Sequence, residues 1–170
     1  MIRSALDPVT VSVHIDTPRE VVFDYLADIA NHSEFMDHFL KDWRLTRVES
    51  YGTGAGARFK SDAPLDRFGW GEMNFLEVEF PRKIVGVGRG GKFNRIETYC
   101  EWTLESAGED ATKVELLWET DPPLPSDRLI ETISRRKRWF RRGARKALKR
   151  LRSIMEEDRQ RGARATVAGL

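Results

Sequence analysis

The sequence predicts an α+β domain: a curved antiparallel sheet of about seven strands wrapped around a long C-terminal helix, with two short helices after the first strand. Three observations lead there. The chain opens on an alternating strand that runs straight into a helix-start signal, continues as strand-like runs split by short turns, and closes on a proline-free amphipathic stretch over about residues 126–158. A helix of roughly 33 residues would be about 50 Å long at 1.5 Å per residue. It cannot lie beside a small sheet unless the sheet curls around it, and the curl leaves room for a cavity.

Each element has its own signal. Residues 10–16 alternate, with Val11, Val13 and Ile15 on one face and Thr10, Ser12 and His14 on the other, as in a half-buried strand. Thr17-Pro-Arg-Glu20 follows a capping-box pattern with proline at the first helical position. Val21, Val22, Tyr25, Leu26 and Ile29 are expected to form the buried stripe of that helix. Asn31-His-Ser-Glu34 repeats the capping pattern and starts a second short helix carrying Phe35, Met36 and Phe39. Strand patterns then occupy about 42–50, 55–62, 68–80, 82–88, 94–106 and 112–120, with connections short enough to make them antiparallel. Asp121-Pro-Pro-Leu-Pro125 ends the sheet, and Ser126 is expected to cap the closing helix with Asp127 against its dipole. Gly143 would cost that helix about 1 kcal/mol relative to alanine. Residues 1–158 are expected to form a single ligand-binding domain and 159–170 a flexible tail.

Composition narrows the function classes. No apolar run reaches the roughly 18 residues of a membrane span, the first residues lack a signal peptide's apolar stretch, and the single cysteine, Cys100, excludes an intrachain disulfide. A cytoplasmic protein is expected, with peripheral membrane contact a further option. Net charge is +2, but residues 1–127 carry 14 Lys/Arg against 23 Asp/Glu, whereas 128–170 carry 15 against 4. An acidic body thus bears a basic terminal helix, which raises the prior for an acidic partner.

The order of elements resembles the START-like superfamily of polyketide cyclase/dehydrase and lipid-transport proteins. The resemblance is carried by Ile15-Asp-Thr-Pro-Arg-Glu-Val-Val-Phe-Asp-Tyr-Leu-Ala-Asp28, by Asn31-His-Ser-Glu-Phe35, and by the glycine-containing turn Tyr51-Gly-Thr-Gly-Ala-Gly-Ala57, over about residues 9–158. It implies the helix-grip fold with an apolar pocket between sheet and helix. It leaves function open, because such proteins include passive lipid and quinone carriers as well as polyketide aromatase/cyclases.

Several motifs are set aside. Gly86-Val-Gly-Arg-Gly-Gly91 matches a dinucleotide string, but a strand follows it where a helix is required, so it reads as a flexible strand connection. His14 sits on the polar parity of its strand and His32 in a helix cap. A site shared by His32, His38 and Asp37 is the weaker reading, and no metal or cofactor is expected. Cys100 reads as a small core residue.

The remaining candidates surround the expected pocket. In the strand at 68–80, Phe68, Trp70, Leu76, Val78 and Phe80 share one parity, and Glu72 and Asn74 fall on it too. Either they form a polar pair in an apolar cavity, or a bulge turns them outward, since Met73 and Phe75 are apolar on the other parity. Phe35, Trp43, Phe59, Trp102, Trp118 and Phe140 are expected walls. On a helical wheel Ile133, Ala144, Ala147, Leu151, Ile154 and Met155 fall within about 60° of Phe140, with Arg136 about 40° to one side and Lys137 about 60° to the other. One of these cations should face the sheet, paired with a ligand carboxylate or phosphate or with Glu72, unless both snorkel outward. The expectation is a protein that binds or transports a lipid, quinone or polyketide-like molecule, with an anionic end group as one option. The enzyme alternative is an aromatase/cyclase using Glu72 as acid. The third alternative is an adaptor whose Arg138, Arg141, Arg142, Arg145, Lys146 and Lys149 meet anionic membrane; nucleic acid is less favoured, because the basic stripe has no interleaved aromatics.

Overall fold

Period-two apolar patterning across six successive runs, tied by short connections, leaves an antiparallel meander as the way to satisfy the backbone. The computed structural model, which describes residues 7–157 and 162–168, has that form. Strands β1 (Val9–Ile15), β2 (Leu40–Leu45), β3 (Gly56–Ser61), β4 (Trp70–Glu79), β5 (Lys83–Gly90), β6 (Ile96–Ser106) and β7 (Thr112–Asp121) form one sheet in the order β1-β7-β6-β5-β4-β3-β2. All pairs are antiparallel. Helices α1 (Arg19–Ala27) and α2 (His32–Met36) follow β1, and α3 (Pro125–Ile133) and α4 (Arg136–Glu157) close the chain. The helix-grip α+β expectation holds. No helix among the described residues is long and apolar enough to cross a membrane.

The sheet's concave face and α4 enclose the core. Val11, Ile15, Leu104, Val114 and Leu116 meet Phe140, Ala144, Ala147, Leu151 and Ile154, all within one buried cluster. Gly143 lies at the closest approach of α4 to the segment after α2: a Cβ there would overlap the Phe39 ring. The glycine's cost in helix propensity is offset by this packing.

The closing helix is not continuous, which corrects the expectation of one helix over 126–158. It breaks at Ser134–Arg135, where Arg135 takes a positive φ of 52°. The physical reason lies in what faces inward. Asp127 and Glu131 of α3 are buried, as is Phe140 of α4. In an unbroken helix the nine steps from Glu131 to Phe140 would set them about 180° apart. The break lets both point at the sheet and turns Leu129, Ile130 and Ile133 into solvent instead. Ile133 therefore leaves the stripe assigned to it.

Three caps also differ. Thr17 donates its hydroxyl to the Met155 carbonyl at 3.3 Å, and Pro18 occupies the cap position of α1 without a side-chain bond. Asn31 donates its amide to the Tyr25 carbonyl, leaving α2 without a side-chain cap. α3 starts at Pro125, one residue before Ser126, behind an uncapped Leu124. In α1, Val21 is exposed and Phe23 takes its place in the core, edge-on to Phe80 at 5.3 Å. In the tail, Ala165 is buried and donates to Ala30, Thr166 accepts from Leu45, and Arg164 pairs with Asp28 at 2.6 Å. Residues 162–168 are thus tied to the body; the expectation of flexibility for 159–161, 169 and 170 falls outside the described residues.

Candidate functional site

Two voids lie between sheet and helices. The inner one, about 20 Å³, is lined by His32, Met36, Trp43, Phe75, Trp102 and their neighbours. It is too small for more than about one water. The outer one is an open cleft with a void of about 90 Å³, framed by β3–β7, the β3–β4 loop, α3 and the start of α4. Leu40, Phe59 and Trp118 line both and form the partition between them.

The cleft's floor is glycine at Gly71 of β4 and Gly90 of β5. Gly86, Gly88 and Gly90 share the inward parity of β5, and Gly71 pairs with Gly90 across the β4–β5 ladder. The string expected to be a flexible connection is therefore a strand whose inner face has no side chains. Across the gap stand Trp118 and Phe140, stacked at 4.6 Å and 25°, with Trp139 beside Phe140.

Polar groups enter from α3 and the start of α4. Arg95 holds α3 by a bidentate pair, Nε to Asp127 Oδ2 at 2.8 Å and Nη2 to Oδ1 at 2.6 Å, and this guanidinium keeps the Asp127 carboxyl below its usual range. Asp127 thus bonds to the β5–β6 connection, in addition to its place in the first turn of α3. One turn on, Glu131 accepts a hydrogen bond from Thr120 Oγ1 at 3.0 Å on its Oε2. Its Oε1 has no hydrogen-bond partner among the described residues and lies 3.9 Å from Arg136 Nη1. Burial pushes the Glu131 carboxyl up, against the opposing pull of Thr120 and Arg136. Arg136 gives Nη2 to Asp66 of the β3–β4 loop at 2.9 Å, while its Nε has no hydrogen-bond partner among the described residues.

The expected site residues divide accordingly. Phe59, Trp118, Arg136, Lys137 and Phe140 line the cleft. Trp43 and Trp102 line the inner void, and Phe35 is fully buried behind it, edge-on to Trp102 at 6.0 Å. Trp70 reaches the cleft's rim but is 39% exposed and lies under the Arg58 guanidinium at 4.9 Å. The inward parity of β4 belongs to Met73 and Phe75, with a register shift between Phe75 and Glu77 that turns Val78 onto the core; Trp70, Leu76 and Phe80 are exposed, while Phe68, half-exposed in the β3–β4 loop, lines the cleft. Glu72 and Asn74 fall on the outer face, Glu72 opposite Arg58 and Arg89 in the ladder. The cation that turns toward the sheet is the partly buried Arg136, and its partners are Asp66 and Glu131 in place of Glu72. Lys137 is half-exposed, 3.7 Å from Asp7.

Glu131, Asp66, Thr120 and the glycine floor were missed. Two signals pointed to them: the i, i+4 pair Asp127 and Glu131 on one helical face, and glycine at period two.

The other candidates resolve differently. His32 lies in the core, its Nε2 donating to the Leu26 carbonyl at 2.8 Å, and burial lowers its pKa to about 4. His38 bonds separately to the Gly143 carbonyl at 3.0 Å. Cys100 is buried against Met73, its thiol pushed up to about 12 by burial. Arg138, Arg141, Arg142, Arg145, Lys146 and Lys149 line an open groove on the solvent side of α4.

The sequence matches the family described as polyketide cyclase / dehydrase and lipid transport over residues 8–156. No curated protein matches it. Among solved structures it is similar to TTHA0849 from Thermus thermophilus, at 16% identity and a TM-score of 0.65, covering 88% of this chain and 97% of that one. DynU16, from the dynemicin biosynthetic locus, is 20% identical with a TM-score of 0.59 over 91% of this chain and 49% of its own. Norcoclaurine synthase from Thalictrum flavum, in complex with dopamine and hydroxybenzaldehyde, is 8% identical with a TM-score of 0.60 over 86% and 87%. At these identities the likeness is one of fold.

Proposed function

This chain belongs to the polyketide cyclase/dehydrase and lipid-transport family, and from that premise we propose that it binds a hydrophobic small molecule in the outer cleft. One observation carries the reading. The inner face of β4 and β5 is bare glycine at Gly71 and Gly90 opposite the Trp118–Phe140 stack, where an ordinary core would place side chains. A slot with apolar walls and a few fixed polar groups is what small-molecule sites have in common. The aromatase/cyclase alternative loses the acid it was built on, because Glu72 stands on the outer face. Of the two cations expected to meet an anionic end group, Arg136 already faces Asp66 and Glu131, and Lys137, which lines the cleft, stands 3.7 Å from Asp7.

The test is native mass spectrometry of freshly purified protein, followed by titration with 2-methoxynaphthalene read by tryptophan fluorescence. A one-to-one adduct or saturable quenching that weakens in Trp118→Phe is the expected result. Absence of both, with the fold intact, would sink the proposal.

A further inference from the structure

We infer that Glu131 and Arg136 form a donor–acceptor pair that reads a neutral hydroxyl on the ligand, the class being an aromatic or polyketide-like molecule ending in a phenol, enol or alcohol. The inference rests on the cleft being the binding site and names what its polar corner recognises.

Three facts combine. Glu131 is only 5% exposed, yet its Oε1 has no hydrogen-bond partner among the described residues, and the residue lines the cleft. Its other oxygen is fixed by Thr120, so the carboxyl cannot swing away to solvent without losing that bond. Arg136 Nε, also without a partner, belongs to the same corner, its guanidinium held by Asp66. Native structures rarely leave buried polar atoms unmade, because each costs its full desolvation. An acceptor oxygen beside a guanidinium N–H matches a hydroxyl, which donates to the first and accepts from the second.

The charge balance argues for a neutral group. Three carboxylates of the lining, Asp7, Asp66 and Glu131, meet two cations, Arg136 and Lys137, and the Lys137 charge also acts on Glu131. A ligand carboxylate or phosphate would meet the unpartnered Glu131 oxygen as a like charge. The break between α3 and α4 creates the corner. Without the positive φ at Arg135, Glu131 would point away from the sheet while Phe140 faced it.

Three probes separate this inference from the reading beneath it: 2-naphthol, its methyl ether 2-methoxynaphthalene, and 2-naphthoate, each titrated at pH 7. The wild type should bind 2-naphthol about tenfold more tightly than the ether, and 2-naphthoate more weakly than 2-naphthol. Glu131→Ala should erase the naphthol preference by weakening naphthol far more than the ether. Glu131→Gln, whose amide can donate to the ether oxygen, should narrow the preference and covers the case in which the alanine variant fails to fold. Equal wild-type affinities for naphthol and ether would overturn the hydroxyl assignment while the cleft reading stood. A preference that survives in Glu131→Ala, or naphthoate as the tightest ligand, would also overturn it. Failure of all three probes to bind folded protein would remove the cleft reading and this inference together.

Discussion

The two ends of the sheet's concave face are built from the same strands and do opposite things. At the inner end His32, Phe35, Trp43, Phe75 and Trp102 crowd ring against ring, with centroid separations of 5.3 to 6.3 Å, and leave about 20 Å³. At the outer end the corresponding positions of β4 and β5 are Gly71 and Gly90, and about 90 Å³ stays open. Packing and binding compete for the same volume. The inner end also satisfies its polar group internally, through His32 and the Leu26 carbonyl, whereas the outer end leaves the Glu131 oxygen unmade. Stability is therefore expected to reside in one end and ligand affinity in the other.

The largest effect should follow from breaking the inner end. Trp102 is 1% exposed and edge-on to both His32 and Phe35. Trp102→Ala should cost about 4 kcal/mol by urea unfolding. At temperatures where the variant stays folded, it should leave cleft affinity within about twofold of wild type. A large loss of probe affinity in a folded variant would mean the two ends are not separate.

Acid should act at the same end, a little less strongly. Inside the fold His32 has a pKa of about 4 against an ordinary 6.5, because burial among aromatic rings outweighs the Leu26 carbonyl and the Asp28 charge, both of which favour the cation. The unfolded chain takes up a proton as pH falls through 6.5, while the fold resists it until about 4. Stability from this group is complete above 6.5, falls by about 2 kcal/mol at pH 5, and is lowest below 4. Comparing wild type with His32→Phe at pH 7 and pH 5 isolates it from other titrations. Identical pH slopes in the two proteins would refute the assignment.

What sequence reading captured and what it missed follow the same division. Strand count, element order, the inward Trp102 and Trp118 and the stripe from Phe140 to Ile154 were legible, because they are period-two or period-3.6 apolar patterns. The break at Ser134–Arg135 was not, since no glycine or proline marks it; it accompanies the hold of Arg95, in the β5–β6 connection, and of Thr120, in β7, on Asp127 and Glu131. Parity in β4 failed for a related reason. Trp70, Leu76 and Phe80 outnumber Met73 and Phe75, yet the smaller set faces inward, and the irregularity between Phe75 and Glu77 resets the phase so that Val78 packs on the core. Polar residues were assigned by proximity to apolar ones, and that logic chose Glu72 over Glu131. A buried acid is made by its tertiary partners, which no local pattern encodes.

The smallest effect on stability should come from the pair of substitutions that contrasts the two ends most directly. Gly71 and Gly86 lie on the same concave face of adjacent strands. At Gly86 an added Cβ would stand 2.6 Å from Met73 Sδ and 2.7 Å from Cys100 Sγ, so Gly86→Ala must push apart a closed core and should cost about 2 kcal/mol. At Gly71 the same methyl would meet the Phe59 ring at 3.4 Å and the Arg89 carbonyl at 3.8 Å, which are ordinary contacts. Gly71→Ala should therefore change stability by less than about 1 kcal/mol in either direction, because the unfolded chain also loses glycine's freedom. Its methyl would instead occupy part of the cleft floor, and 2-methoxynaphthalene should bind about threefold more weakly. If Gly86→Ala were the one to lose the probe and Gly71→Ala the one to lose stability, the division of this face into a packed end and a binding end would be reversed.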